Sequence, residues 1–351
     1  MLRQAHRRKY LLAFAMLAAC SIFVLSTPLL RAQAPASTFL SFDAPGAGTS
    51  DGQGTFPVAI NRSGLIVGNF TDSSRVQHGF MRAPDGTFTT FDPPGSTGTY
   101  VMAVNSKGLV VGWYETPTST FGFLRYRNGT FATLNAFQGT SYTVPVAMND
   151  IGEIAGDVGF AANVTRGFLS SPTESFKMFR VPDGGSWVGV AALNSSGVIA
   201  GAYPDVFKQT TRRGFLRDNA GNFTGFDATD TALDTAATTI NASGQVAGWY
   251  IDASDEAFPF LRDADGTITL FTVGGAQGVA TSINDLGVIV GYGYTDTSGN
   301  AFVRDAAGNV TVLTPPFSNV GSTAAGINLS GRIVGTYYDS AYVAHGWLMT
   351  P

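Results

Sequence analysis

Three features predict an all-β fold. The stretch Ala59-Ile60-Asn61-Arg62-Ser63-Gly64-Leu65-Ile66-Val67-Gly68-Asn69-Phe70 returns at Asn105, Asn149, Asn194, Asn241, Asn284 and Asn328, at spacings of 43 to 47 residues. Each copy carries one glycine three residues after the asparagine and a second four further on, from Gly64 and Gly68 to Gly331 and Gly335. No segment shows the apolar period of an amphipathic helix, and the chain contains 43 glycines. A fixed period of roughly 40 to 50 residues marks a repeat architecture and points to propeller blades. The expectation is a seven-bladed β-propeller of four-stranded antiparallel blades.

Residues 1–36 stand apart from this pattern. Arg3, Arg7, Arg8 and Lys9 form a basic head, Tyr10 to Leu30 is almost wholly apolar, and Ala32-Gln33-Ala34 and Ala34-Pro35-Ala36 are small-residue cleavage patterns. This reads as an export signal, which makes the rest of the chain secreted, extracellular or periplasmic. An uncleaved anchor is the alternative, since the apolar run is long enough to span a bilayer. Leu17-Ala18-Ala19-Cys20 also resembles a lipoprotein box, although the apolar run continues past the cysteine. Cys20 is the only cysteine, so residues 37–351 are left without disulfide or thiolate chemistry. The leader holds five of the 21 basic residues and none of the 25 acidic ones, leaving a net charge of −9. Such a surface disfavours nucleic acid, anionic lipid and anionic polysaccharide, and leaves neutral glycans, cations or basic protein patches as partners.

Within one repeat, four strands are expected. Phe56 to Asn61 is short and apolar, and Asn61-Arg62-Ser63-Gly64 fits a type I turn. Leu65 to Phe70 is rich in branched residues and suits a second strand. A polar loop, Thr71 to Gln77, leads to a third strand at His78-Gly79-Phe80-Met81-Arg82. Ala83-Pro84-Asp85-Gly86 signals a hairpin into Thr87 to Asp92, and Pro93-Pro94-Gly95 ends it. Leu65, Ile66 and Val67 are consecutive, so both faces of their strand must be covered, as in a blade between two others. A β-helix competes, but its coils do not reverse through tight hairpins. The last repeat stops at a third strand, His345 to Met349, whereas Thr38 to Asp43 is an orphan fourth strand. The N-terminal strand is therefore expected to complete the last blade and close the ring as a single domain over 37–351.

The pattern Ala-Ile-Asn-x-x-Gly-x-Ile-Val-Gly, then His78-Gly79-Phe80, then Phe91-Asp92-Pro93-Pro94-Gly95 resembles the bacterial HAF-repeat extracellular proteins. The likeness runs from Thr38 to the end, and His345-Gly346-Trp347 repeats the triplet with Trp for Phe. The triplet position reads Phe121, Arg166, Arg213, Phe258 and Asn300 in the other copies. The resemblance implies an exported propeller-like repeat protein and carries no catalytic residue with it.

No motif points to catalysis, a cofactor or a metal. His78 and His345 occupy one repeat position without a ligand cluster around them. Arg82, Arg125, Arg217, Arg262 and Arg304 recur two residues after the third-strand Phe, and pairing with turn acids such as Asp263 or Asp265 is the expected account. Asp263-Ala264-Asp265-Gly266 lacks the later acidic ligands of a calcium loop and reads as a hairpin.

The most suggestive signal is aromatic. Phe70, Tyr114, Tyr203, Tyr250 and Tyr337 each lie two residues past the second glycine, with Trp113, Trp249, Tyr292 and Tyr338 nearby. Tyr100, Tyr142 and Trp187 fall in connections between fourth and first strands. Tyr100, Tyr114, Tyr142, Trp187, Tyr203 and Tyr250 are therefore candidate residues of a ligand face, suited to stacking on sugar rings or gripping a peptide. For the repeated aromatics, packing between blades is the competing reading. The expectation is a monomeric, non-enzymatic binding module for a glycan or protein, with no bound cofactor. The alternative is a carbohydrate-active hydrolase or lyase, which needs two converging carboxylates among Glu115, Asp205, Asp230, Asp234, Asp252, Asp255 and Glu256.

Overall fold

The computed structural model describes residues 37–351 apart from 136–138, 172–174, 183, 205–210 and 296–297. The expected export signal, residues 1–36, and Asp205 lie outside the described residues. Residues 37–351 form one compact unit of antiparallel sheets. Among the described residues the only helical turn is a 3₁₀ turn at Ala161–Asn163, and no helix is long and apolar enough to cross a membrane.

The chain opens with β1 (Thr38–Phe42). Four strands then recur in order, beginning with β2 (Gly54–Ile60), β3 (Ile66–Thr71), β4 (Gln77–Arg82) and β5 (Phe88–Phe91). The next group is β6 (Gly98–Val104), β7 (Val110–Glu115), β8 (Thr120–Arg125) and β9 (Phe131–Leu134). It is followed by β10 (Tyr142–Met148), β11 (Ile154–Phe160), β12 (Val164–Ser170) and β13 (Phe176–Phe179). Then come β14 (Gly189–Leu193), β15 (Ile199–Pro204), β16 (Arg212–Arg217) and β17 (Phe223–Phe226). β18 (Asp234–Ile240), β19 (Val246–Ile251), β20 (Ala257–Arg262) and β21 (Ile268–Leu270) form another group. β22 (Gly278–Ile283), β23 (Ile289–Thr295), β24 (Ser298–Arg304) and β25 (Val310–Leu313) form the next. The chain ends with β26 (Gly321–Ile327), β27 (Ile333–Tyr338) and β28 (Ala344–Thr350), and β1 pairs antiparallel with β28, from Thr38 opposite Thr350 to Phe42 opposite Gly346.

The repeated glycines answer two different demands. The first, Gly64 to Gly331, adopts φ of +75° to +99°, the left-handed conformation that closes the turn between first and second strands. The second, Gly68 to Gly335, sits where a Cβ would collide with a carbonyl oxygen of the first strand: Phe56 O at Gly68, Tyr100 O at Gly112, Thr323 O at Gly335. The first strand bulges there, as between Pro57 and Ala59, and its backbone presses onto the glycine. The third-strand aromatic covers the same spot, and Phe80, Phe123, Phe168, Phe215, Phe260, Phe302 and Trp347 are all fully buried.

The repeated asparagine links one sheet to the next. Asn61 Oδ1 accepts from the Ser63 and Leu65 amides, both at 3.0 Å, which fastens its own turn. Its Nδ2 donates to Asn105 O at 3.0 Å. The same bond runs from Asn105 to Asn149, Asn149 to Asn194, Asn194 to Asn241, Asn241 to Asn284 and Asn284 to Asn328. Asn328 Nδ2 then donates to Asn61 O at 3.1 Å.

The five arginines differ from expectation. The turn acids Asp85, Asp218, Asp265 and Asp305 act on four of them at a distance, without an ion pair among the described residues, and each guanidinium lies over an aromatic ring. Arg82 stands 5.0 Å from the centre of Phe42, Arg125 4.9 Å from Phe91, and Arg217 5.0 Å from Phe179. Arg262 covers Phe226 at 5.2 Å and Arg304 covers Phe271 at 5.1 Å. In the last four, Nη1 also donates to the carbonyl of the next residue, and every Nε is buried without a hydrogen-bond partner among the described residues. These cations join neighbouring repeats through stacking.

Candidate ligand-binding face

Side chains along a strand alternate between faces, and that alternation sorts the aromatics. Two residues past the second glycine, the side chain enters the core. Tyr114 and Tyr203 are each only 6% exposed and belong to hydrophobic clusters, and Phe70 and Tyr337 are likewise buried. This corrects the expectation that Tyr114 and Tyr203 present themselves to a ligand. Tyr250 is half-buried, tilts against Phe258 at 5.9 Å and packs beside Val246 and Phe260.

The same stacking explains the histidines. His78 lies on Phe70 and His345 on Tyr337, each at 4.9 Å between ring centres. His78 Nδ1 is 2.8 Å from Asp92 and His345 Nδ1 is 3.0 Å from Asp43, while Nε2 of each approaches Asp72 or Asp339. Arg213 meets Asp227 at the same repeat position, 3.0 Å away. In these three repeats the position is thus a structural clasp between a nitrogen-bearing side chain and a carboxylate. Among the described residues no group of three His, Cys, Asp or Glu could hold a metal ion.

One residue past the second glycine, the side chain turns to the other surface, opposite the start of the first strand. Here Trp113 pairs with Tyr100 across β6 and β7, and the two half-exposed rings stack 3.8 Å apart at 9°. Burial, and secondarily Glu115, pushes the Tyr100 hydroxyl pKa up. Trp249 faces Ala236 in the same register, with the Arg212 guanidinium 4.9 Å above its ring. Tyr292 occupies this position on β23. Trp187, half-exposed, lies just ahead of β14 against Gly189. Tyr142 lies across its own sheet, where Gly159 makes room for the ring and Thr165 bonds the hydroxyl at 3.0 Å.

Two of the loop acids expected as a possible catalytic pair, Asp234 and Asp252, serve donors of the fold itself. Asp234 accepts from Arg212 Nη2 at 2.6 Å and from the Arg212 amide at 2.6 Å. Asp252 Oδ1 accepts from the Ser254 and Glu256 amides and so builds its turn, in which Asp255 takes a φ of +63°. Several second-to-third connections expected as long loops are in fact such aspartate-capped turns, at Asp72–Val76, Asp252–Glu256 and Asp339–Val343. Asp157, one residue past its glycine, receives the Val190 amide at 3.0 Å. Burial pushes its carboxyl up to about 7 against that bond.

A concavity lies between β23 and the β26–β27 hairpin. Its volume is about 600 Å³, and Tyr292, Tyr294, Tyr338 and Tyr342 form its walls. Tyr294 and Tyr342 were not singled out from sequence; the available signal was Tyr292-Gly293-Tyr294, two aromatics on one face of a strand. A smaller cavity of about 190 Å³ opens among the asparagine turns, beside Asp150 and Asp285. Those two carboxylates accept from the Ser106 and Ala242 amides of preceding turns.

No protein-family model matches the chain, and no curated protein does. Among solved structures it is similar to virginiamycin B lyase from Staphylococcus aureus, with TM-score 0.58 and 13% identity over 90% of this chain and 100% of that one. It is also similar to a streptogramin B lyase, with TM-score 0.55 and 12% identity over 89% and 97%. The propeller domain of the Trilobed protease from Pyrococcus furiosus gives TM-score 0.62 and 8% identity over 86% and 94%. At these identities the likeness is one of fold, and with the repeated four-stranded sheets it makes this chain a β-propeller.

Proposed function

We propose that this propeller is an exported binding module of the HAF-repeat kind that grips a glycan or protein without transforming it. The observation that carries the reading is the half-exposed aromatic set at one end of the sheets, Tyr100 with Trp113, Trp187, Trp249 and Tyr292. Such rings stack on the C–H faces of sugars or on apolar side chains. The nearby Asp234 and Asp252 already serve the protein's own donors, which leaves this face better equipped for adhesion than for acid–base chemistry.

The platform in this reading is a closed ring of seven blades, monomeric, with β1 as fourth strand of the last blade. The antiparallel β1–β28 register, the Asn328 bond to Asn61 and the His345–Asp43 contact support that closure. The Pyrococcus propeller, by contrast, is described as having an open velcro topology. A ring shut in this way holds its loops at fixed separations, so a ligand spends little free energy on ordering them.

A thermal-shift panel on the purified protein tests the reading, using neutral oligosaccharides, cell-wall fragments, calcium and short peptides. A ligand at 100 times its Kd adds about 2.7 kcal/mol. A shift with a sugar or peptide recovered intact supports the module. Product formation makes the chain a carbohydrate-active hydrolase or lyase, and silence across the panel removes the glycan and peptide readings.

A further inference from the structure

We propose that the cleft between β23 and the β26–β27 hairpin binds an uncharged oligosaccharide. The inference rests on the binding-module reading above and assigns its ligand class and its place. A volume of about 600 Å³ lies within the usual range for small-ligand sites.

The cleft's construction separates it from the other aromatic positions. Tyr114, Tyr142 and Tyr337 use their hydroxyls inside the fold, bonded to Thr133, Thr165 and Ser41. Among the described residues, none of the hydroxyls of Tyr292, Tyr294, Tyr338 and Tyr342 has such a bond. Burial pushes the pKa of Tyr292 and Tyr338 up, which keeps both hydroxyls protonated as donors. Between these walls lie Gly299, Val320, Gly321, Ser322 and Thr323. Gly299 and Gly321 approach so closely that a Cβ on Gly321 would lie 2.7 Å from Gly299 O. Rings with free hydroxyls around a cleft of this size suit a pyranose, which offers C–H faces and an equatorial rim of hydroxyl groups.

Tyr342 adds an independent observation. The aspartate-capped turn places its fourth residue at positive φ, with Arg75 at +65°, Asp255 at +63° and Tyr342 at +58°. Two of these turns put a charged residue at that strained position. The third puts a tyrosine there, 56% exposed, beside Tyr294 at 52%. A bulky side chain at such an angle is unfavourable by roughly 1 to 2 kcal/mol, and it is held by Asp339 Oδ1 accepting from the Ala341 and Val343 amides. The turn fixes the ring over the cleft instead of burying it.

The same residues select against other ligands. No charged side chain is among the described residues that line the cleft, so none of them supplies a counter-ion to an anionic uronate.

The test is calorimetric titration of the purified protein with cello-, xylo-, manno-, malto- and chitohexaose, with hexagalacturonate as the charged comparator. It is run on the parent and on Tyr294→Ala, Tyr342→Ala and Tyr100→Ala. At least one neutral hexasaccharide binds, each cleft variant weakens it tenfold or more with the melting temperature nearly unchanged, and the uronate binds more weakly. Loss in Tyr100→Ala with unchanged affinity in both cleft variants overturns the placement while the binding-module reading stands. Preference for the uronate overturns the ligand class. No binding by any hexasaccharide at 10 mM overturns the proposal outright, and peptide hits in the thermal-shift panel then decide whether the wider reading survives.

Discussion

Replacing Asn61 with alanine isolates the interaction that recurs between sheets. The side chain is 6% exposed and makes four hydrogen bonds: from the Ser63 amide and hydroxyl, from the Leu65 amide, and to Asn105 O. At a net 0.5–1.5 kcal/mol each, and with buried amides left unpaired, Asn61→Ala loses about 3 to 4 kcal/mol. With an unfolding entropy of about 2.1 cal/mol/K per residue over roughly 300 residues, that lowers the melting temperature by about 5 °C. Asn61→Asp sharpens the test, because it retains the acceptor that builds the turn but loses the donor to Asn105. It also turns a buried negative charge toward the Asn105 carbonyl, so it costs at least as much as alanine at pH 7 and recovers as acid protonates it. Urea denaturation followed by tryptophan fluorescence measures both variants. If both stay within 0.5 kcal/mol of the parent, the asparagine links carry no stability and the reasoning fails.

Three further outcomes follow from the same geometry. Asp157→Asn keeps an acceptor for Val190, as Asn69 does for Val101 at 2.7 Å, and removes a carboxyl whose pKa rises from 3.8 to about 7. The folded state therefore binds the extra proton between about pH 4 and 7, parent stability falls as pH rises through that window, and the variant gains at least about 1 kcal/mol at pH 8 in denaturant titrations. Arg304→Gln removes the stack on Phe271 and the bond to Asp305 O, and lowers stability by about 1 to 2 kcal/mol in the same assay. Gly112→Ala drives a Cβ into Tyr100 O and the Phe123 ring, and the purified variant shows no cooperative thermal transition.

The repeat was legible because each of its invariant letters answers a local constraint. One glycine needs positive φ, the other has no room for a side chain, and the asparagine fastens its own turn. Partners in the preceding sheet were not legible. Arg125 stacks on Phe91, across a sheet boundary that no local pattern marks, so pairing with nearby acids looked simpler. The aromatic face was misplaced by one residue along the strand. Consecutive apolar residues conceal which of Trp113 and Tyr114 points to the core, and only the register with Tyr100 resolves it. The tyrosine cleft needed two repeats in contact, and its strongest marker, Tyr342, lies in a turn whose length resembled an ordinary polar loop.

The claim that the chain shuts on itself is tested most directly by hydrogen exchange of the amides in β1. Paired with β28 and clasped by His345 at Asp43, the alternate amides of residues 39–42 that face β28 should exchange at rates like those of β28 and open only with the whole ring. Rapid exchange of those amides beside a protected β28 would contradict the account, because it would mean the last sheet ends at three strands.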